Sequence, residues 1–265
     1  MTMKKYSFAI LLLRGKIKLN KKIITYLKKN LFKILILLPV FTGALYCKTT
    51  SIIIPCHYKH APHLKELLIA YEHQTILPNE IVISLSNANQ APEIINAINT
   101  TSWKFDVNLI THDNHLTAGQ NRNSACKHAR GDILILQDAD DMPHPQRVEI
   151  IHYFFEKYNI DHLMHRWSKS QDDWLYFDSL EKIPYKQGNP NKISSYTNGA
   201  IALSKKLSTK VTWDSNTKRG EDVRFNSKAY KTIPKEKRIM LDVSLYQYRH
   251  SLSILSFYTQ NKIYT

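Results

Sequence analysis

Short runs of branched apolar residues alternate along this chain with stretches whose apolar positions recur every three or four residues. Ser51-Ile52-Ile53-Ile54-Pro55 reads as a buried strand stopped by its proline. Residues 80–85, 107–111 and 132–137 give three further strands. Between them, residues 63–73 place Leu64, Leu67, Leu68 and Tyr71 on one helical face. Residues 92–98 suit a short helix with proline in its first turn, and residues 120–129 a helix stopped by Gly131. Residues 144–158 predict a longer amphipathic helix resting on Val148, Ile151, Phe154 and Phe155. Strands and helices alternating at this spacing mean βαβ units and a mostly parallel sheet. After Asp161 the rhythm weakens. Residues 168–195 are polar, with glycine, asparagine and proline near 188–191, and read as an insertion or a mobile loop region.

The fourth strand runs into Asp138-Ala139-Asp140-Asp141, three carboxylates within four positions where the strand should end. Ionised carboxylates this close repel one another. A hard divalent cation such as Mg²⁺ or Mn²⁺ takes oxygen ligands and would relieve them, and open α/β sheets bind ligands at this end of their strands. The same cluster also fits an acidic, solvated turn. A second acidic pair, Glu221-Asp222, follows Gly220 at the start of a helix running to Tyr230. Acids in a first helical turn are stabilised by the helix dipole alone. They equally suit a general base delivered to the mouth of the sheet.

Charge changes the picture less than its total implies. The net charge is +15, but 11 of the 37 basic residues lie in residues 1–50, which hold no acid. The remainder carries 26 basic against 22 acidic residues, an ordinary balance that removes the case for nucleic acid. The three cysteines, Cys47, Cys56 and Cys126, have no short spacing, which argues against a disulfide framework or a zinc site. His57 with His60, or His162 with His165, could pair on a metal, but nothing completes a set of four.

Residues 1–48 form a basic N-terminal segment with signal-peptide or membrane-anchor character, and residues 49–265 a single domain. Residues 34–47 are uncharged and mostly apolar, which is short of the ~20 that a full span needs. With the lysines ahead of that run, the N-terminus stays cytoplasmic and the body is secretory or lumenal. The alternative is a surface anchor on anionic lipid at the cytoplasmic face of a membrane.

Five pieces in order resemble the family 2 glycosyltransferases of GT-A fold, over roughly residues 51–250. They are Ser51-Ile52-Ile53-Ile54-Pro55; Gln74-Thr75 with Glu80-Ile81-Val82-Ile83; Gly119 with Arg122-Asn123; Gly131-Asp132 through Asp141; and Gly220-Glu221-Asp222. The resemblance implies a Rossmann-like, mostly parallel sheet flanked by helices, with an irregular acceptor-side second half. It implies a metal-dependent enzyme moving a sugar from a nucleotide-sugar donor, a UDP-sugar favoured, to an acceptor hydroxyl with inversion. Asp138, with Ala139 beside it, would face the nucleoside, and Asp140 and Asp141 would hold Mn²⁺ or Mg²⁺ on the diphosphate. Asp222 would act as base and Glu221 would orient it or touch the acceptor.

Pro55, His57 and Tyr58 would line the base pocket, and Arg122 would reach the phosphates. The family's base-reading aspartate is replaced by Leu85-Ser86-Asn87, where Ser86 can still hydrogen-bond. Its asparagine after the first-strand proline is replaced by Cys56-His57-Tyr58. Asn198 and Gly199 fit the floor of the sugar pocket, or an ordinary turn. Arg249 fits a phosphate contact and His250 a metal contact, or both a solvated basic turn. Trp213 falls where an acceptor-side aromatic is found, or in the core. A nucleotidyltransferase would call for a glycine-rich loop after the first strand, and this loop contains no glycine. A non-catalytic sugar-binding module would have lost the acidic triplet or Asp222. The acceptor is not legible in the sequence.

Overall fold

The computed structural model describes residues 47–188, 198–215 and 220–249, and every element named below lies in the unit Lys48–Thr265. The expectations for residues 1–46 and 189–195 lie outside the described residues. Among the described residues nine strands form one sheet. They are β1 (Thr50–His57), β2 (Glu80–Ser86), β3 (Asp106–His112), β4 (Ile133–Leu136), β5 (Met142–Pro143), β6 (His162–Ser168), β7 (Tyr185–Gln187), β8 (Ile201–Ser204) and β9 (Arg238–Gln247). Their order is β3-β2-β1-β4-β8-β6-β9-β5, with β7 on β9. The helices are α1 (Leu64–Glu72), α2 (Pro92–Thr100), α3 (Ala118–His128), α4 (Arg147–Tyr158), α5 (Lys205–Ser208) and α6 (Glu221–Thr232).

The expected α/β sheet is present, and β3, β2, β1 and β4 pair in parallel. β1, β2 and β4 are apolar on both faces because helices cover both. Ile52 and Ile54 pack with Leu64, Leu67, Val148 and Phe154 on one side, and Ile53 packs with Ala125, Leu134, Trp213 and Phe225 on the other. Beyond β4 the pairing is mixed. β8 runs antiparallel to β4 and β6, β6 is parallel to β9, and β5 and β7 are antiparallel to β9. Within the polar stretch after Ser168, β7 is anchored on β9, so residues 185–187 belong to the sheet.

Pro55 lies inside β1 and does not end it. Its position explains why. Gln137 donates its N–H to Ile53 O at 2.9 Å, and the next rung of a parallel ladder would need Pro55 to donate to Gln137. Proline has no N–H to give. The β1–β4 ladder therefore stops at Ile53–Leu136 while β1 continues against β2 to His57.

Candidate active site

A cavity of about 540 Å³ opens where β1 and β4 part. The end of β1 brings Pro55, Cys56 and His57 to it, and the 3-10 turn that follows adds His60. α3 meets it N-terminus first, through Thr117, Ala118, Asn121 and Arg122. This helix starts on a reciprocal cap: Thr117 Oγ1 accepts from Gln120 N at 3.2 Å, and Gln120 Oε1 accepts from Thr117 N at 2.8 Å. A helix start of this kind favours an anion. The loop Asp138–Asp141, Glu221 and Tyr248 complete the lining used below.

The three neighbouring carboxylates have three different environments. Asp138 accepts from Arg122 Nη2 at 2.8 Å and from the Tyr246 hydroxyl at 3.2 Å. Arg122 is buried and also reaches Glu221 Oε1 at 3.4 Å. Burial opposes its charge, but Asp138 and Glu221 outweigh burial and raise its pKa. Asp140 keeps 37% of its side chain exposed and faces His60 Nδ1 at 3.2 Å. Burial pushes its pKa up, the His60 bond pulls it down, and the net direction is downward. Asp141 is 1% exposed, and both its oxygens are engaged. The Tyr246 hydroxyl donates to one, and Arg249 N donates to the other at 2.6 Å. Burial, then the charge of Asp138, push its pKa up to about 7.

Asp140 is thus the most exposed acid of the loop, Asp138 is held by Arg122, and Asp141 anchors the chain after β9. The donors fit a hard divalent cation in one particular way. Among the described residues, the carboxylates of this loop do not bring three ligand atoms within 4.8 Å of one another. Mg²⁺-type sites commonly use one or two carboxylates and take the rest from substrate phosphates and water. Asp140 matches that role.

Arg249 Nε donates to Asp140 O at 2.6 Å, and its Nη1 reaches both oxygens of Glu66, at 3.1 and 3.2 Å. It therefore sits between the acidic loop and α1 and does not line the cavity. His250 lies outside the described residues. Tyr58 packs against the core, whereas its neighbour His57 lines the cavity 5.4 Å from the ring of His115. Burial and then the neighbouring His115 lower the His57 pKa. Ser86 is fully buried behind the cavity. Its hydroxyl accepts from Asn121 Nδ2 at 3.1 Å, and Asn121 Oδ1 accepts from Ser84 Oγ at 2.9 Å. This network joins β2 to α3 under the end of β1.

Gly220 enters α6 at φ +70°, a left-handed turn that suits glycine, and places Glu221 in the cavity wall with Asp222 next to it. Burial raises the pKa of Asp222, partly offset by its bond from Val223 N. Trp213 is core: it stacks on Phe225 at 3.8 Å between near-parallel rings. Gly199 lies beneath the acidic loop. A side chain there would run into the Tyr246 ring, and its carbonyl accepts from Arg147. Asn198 opens the same 3-10 turn.

Three contributors escaped the sequence reading, Asn121, Arg147 and Tyr246, while His60, named there only as a possible metal partner of His57, instead faces Asp140. Arg147 is fully buried, and it donates to Leu136 O at 2.7 Å and to Gln137. Its signal was a charged residue inside the apolar face of a helix. Tyr246 carried no such signal: the period-two pattern of β9 buries Ile239, Leu241, Val243 and Leu245, and Tyr246 falls on the other face yet is buried as well.

A mostly parallel α/β sheet with an acidic loop at a strand end, a capped helix facing it and a second acidic pair has the architecture of the GT-A fold. The family model described as "Glycosyl transferase family 2" matches residues 51–219, and the chain belongs to that family. Its fold is similar to that of S. aureus TarS in complex with UDP-GlcNAc, with a TM-score of 0.62 and 17% identity, covering 77% of this chain and 59% of that one. It is also similar to the mannosyltransferase PcManGT from Pyrobaculum calidifontis in complex with GDP-Man and Mn²⁺. There the TM-score is 0.51 and the identity 16%, over 74% of this chain and 57% of that one. The uncharacterized glycosyltransferase MJ1057 of Methanocaldococcus jannaschii is 25% identical over 190 residues, covering 66% of this chain and 62% of its own. The chain spans between a third and two thirds of the length of the curated relatives it matches.

Proposed function

We propose that this chain is a metal-dependent, inverting glycosyltransferase that moves a sugar from a nucleotide-sugar donor, a UDP-sugar favoured, to an acceptor hydroxyl. One observation carries the reading: Asp138–Asp141, the N-terminus of α3 and Glu221 converge on a single cavity of about 540 Å³. The complexes of TarS with UDP and UDP-GlcNAc, and of PcManGT with GDP-Man and Mn²⁺, support it by likeness of fold.

Asp140 would hold the ion, Mn²⁺ or Mg²⁺, together with the donor diphosphate. Bound there, it would neutralise the charge that develops on the departing nucleoside diphosphate. The start of α3 offers backbone N–H groups to the same phosphates. Arg122, fixed by Asp138 and Glu221, supplies fixed positive charge beside them. Asp138 faces the nucleoside side, next to Pro55 and His57. Asp222 takes the acceptor's proton, and its raised pKa makes it a stronger base than an exposed aspartate. The acceptor oxygen, as it loses its proton to Asp222, attacks the anomeric carbon from the face opposite the leaving nucleoside diphosphate; the new C–O bond forms as the old one breaks, which gives inversion. The lysine-rich residues 1–48 would hold the domain at a membrane.

The test is a nucleotide-sugar panel with Mn²⁺ on the full chain, read as release of nucleoside diphosphate. Release that requires an acceptor and is lost in Asp140→Asn supports transfer. Equal release without acceptor makes the protein a hydrolase. Calorimetry of UDP with and without Mn²⁺ checks the ion: Asp140→Asn should abolish the metal-dependent gain in affinity, and an unchanged gain removes Asp140 from that role.

A further inference from the structure

A second concave site lies at the far end of α6. After Glu221 and Asp222, α6 exposes Arg224, Lys228 and Lys231, with Arg224 Nη1 3.7 Å from Asp214 Oδ2. Their i, i+4, i+7 spacing puts them on one face of the helix. From Asp222 to Lys231 the helix rises ~14 Å. At the far end Lys228 and Lys231 meet Lys210 around a pit of about 350 Å³, completed by Val211, Thr212 and Thr232. These six residues bring three ammonium groups and two hydroxyls, and no carboxylate. Other basic side chains of the domain do sit against acids, as Arg130 does on Glu80 and Asp106, Lys157 on Glu181 and Arg166 on Asp242. Three like charges gathered in one hollow cost free energy unless an anion joins them.

We propose that this pit binds a phosphate group of the acceptor, so that the acceptor is a phosphate-bearing chain with its reacting hydroxyl at Asp222. The proposal deepens the transferase reading and rests on it for the word acceptor. The anion itself is read from the pit alone. Ammonium groups with hydroxyls beside them match the oxygens of a phosphate. The concavity favours a discrete phosphate over a flat bilayer, which cannot enter it. The lining holds no aromatic ring on which a base could stack, which sets nucleic acid aside. The basic residues run along α6 from the pit toward Glu221 and Asp222, with the Arg224–Asp214 pair between.

Calorimetric titration of the full-length protein with a linear polyphosphate of about ten units, in EDTA, tests the binding without any transfer chemistry. K210Q/K228Q/K231Q should weaken binding at least tenfold. K104Q/K169Q/K186Q, three exposed lysines elsewhere, should change it less than twofold. The lysine-rich N-terminus is common to all three proteins and cancels. These are surface substitutions and are expected to leave folding intact. UDP affinity with Mn²⁺ should be unchanged in the pit variant, which verifies both folding and the donor site. Equal polyphosphate affinity in the pit variant and the wild type overturns the proposal, as does an equal loss in the control variant. Pit-dependent binding to vesicles of phosphatidylglycerol and phosphatidylcholine, without pit-dependent polyphosphate binding, overturns it in favour of a membrane. If the binding results hold while the sugar panel shows no transfer, the pit stands and the transferase reading fails.

Discussion

The two halves of the sheet solve the same packing problem in different ways. From β1 to β4 the strands are parallel, β1, β2 and β4 are buried on both faces, and the polar groups that matter cluster at one end. From β6 to β9 the pairing is mixed and the interior is polar in places. His162 and His165 are buried in β6, and Arg147 reaches in beneath it. The first half can hold a ligand because its core is complete without one. The second half depends on hydrogen bonds that water can compete for, and it supplies Asp222, the Tyr246 hydroxyl and the chain that anchors Asp141. The comparison teaches that the β1–β4 side of the cavity stands on apolar packing and the β6–β9 side on a buried polar network.

The sharpest way to separate the halves is Asp222→Asn. Turnover should fall about 10²–10⁴-fold while UDP affinity with Mn²⁺ stays within about twofold, because the base belongs to the acceptor half. Near-normal turnover removes Asp222 from its role. A second route is acid. Burial depresses the His162 pKa to about 4, partly opposed by its bond to Asn226. A folded-state pKa below the unfolded value of ~6.5 means the neutral form is favoured on folding. Stability is therefore present above pH 6.5 and is lost as pH falls toward 4, on the order of 3 kcal/mol from this residue. Urea melts at pH 7, 5.5 and 4.5 should show a flatter slope for His162→Gln. Amide exchange should open β6 and β9 before β1 and β2, and simultaneous opening would break the comparison.

Two smaller effects sharpen it. Gly199→Ala places a methyl against the Tyr246 ring and should cost ~1–3 kcal/mol by overpacking, measured as a lower urea midpoint. An unchanged midpoint would mean that the ring has room to move. Thr117→Ala removes half of the cap at the start of α3 and should cost ~1 kcal/mol, on the donor side, with the pH slope of unfolding unaltered.

The donor half was legible in the sequence because its signals are local. Branched apolar runs, prolines and the triplet at 138–141 act within a few residues of one another. The division of labour inside that triplet was not legible. Asp140 and Asp141 are adjacent and chemically identical, and what separates them is Tyr246, Arg249 and His60, which lie far away in sequence. β6 escaped because buried histidines make a core strand read as polar, and β9 because its alternation followed a stretch already read as irregular. Gly199 was seen as a pocket residue since a glycine in a turn fits both a sugar floor and a close ring contact, and only the position of Tyr246 decides between them.

The proline within β1 has a last consequence. Two neighbouring strands that would otherwise zip together are forced to fork, because one amide proton is missing at Pro55. The doorway for the donor is therefore written into the backbone itself, upstream of any side chain that greets the ligand. Restoring that proton with alanine would let the seam close by one further stitch, and the entrance would narrow with every charged group still in its place.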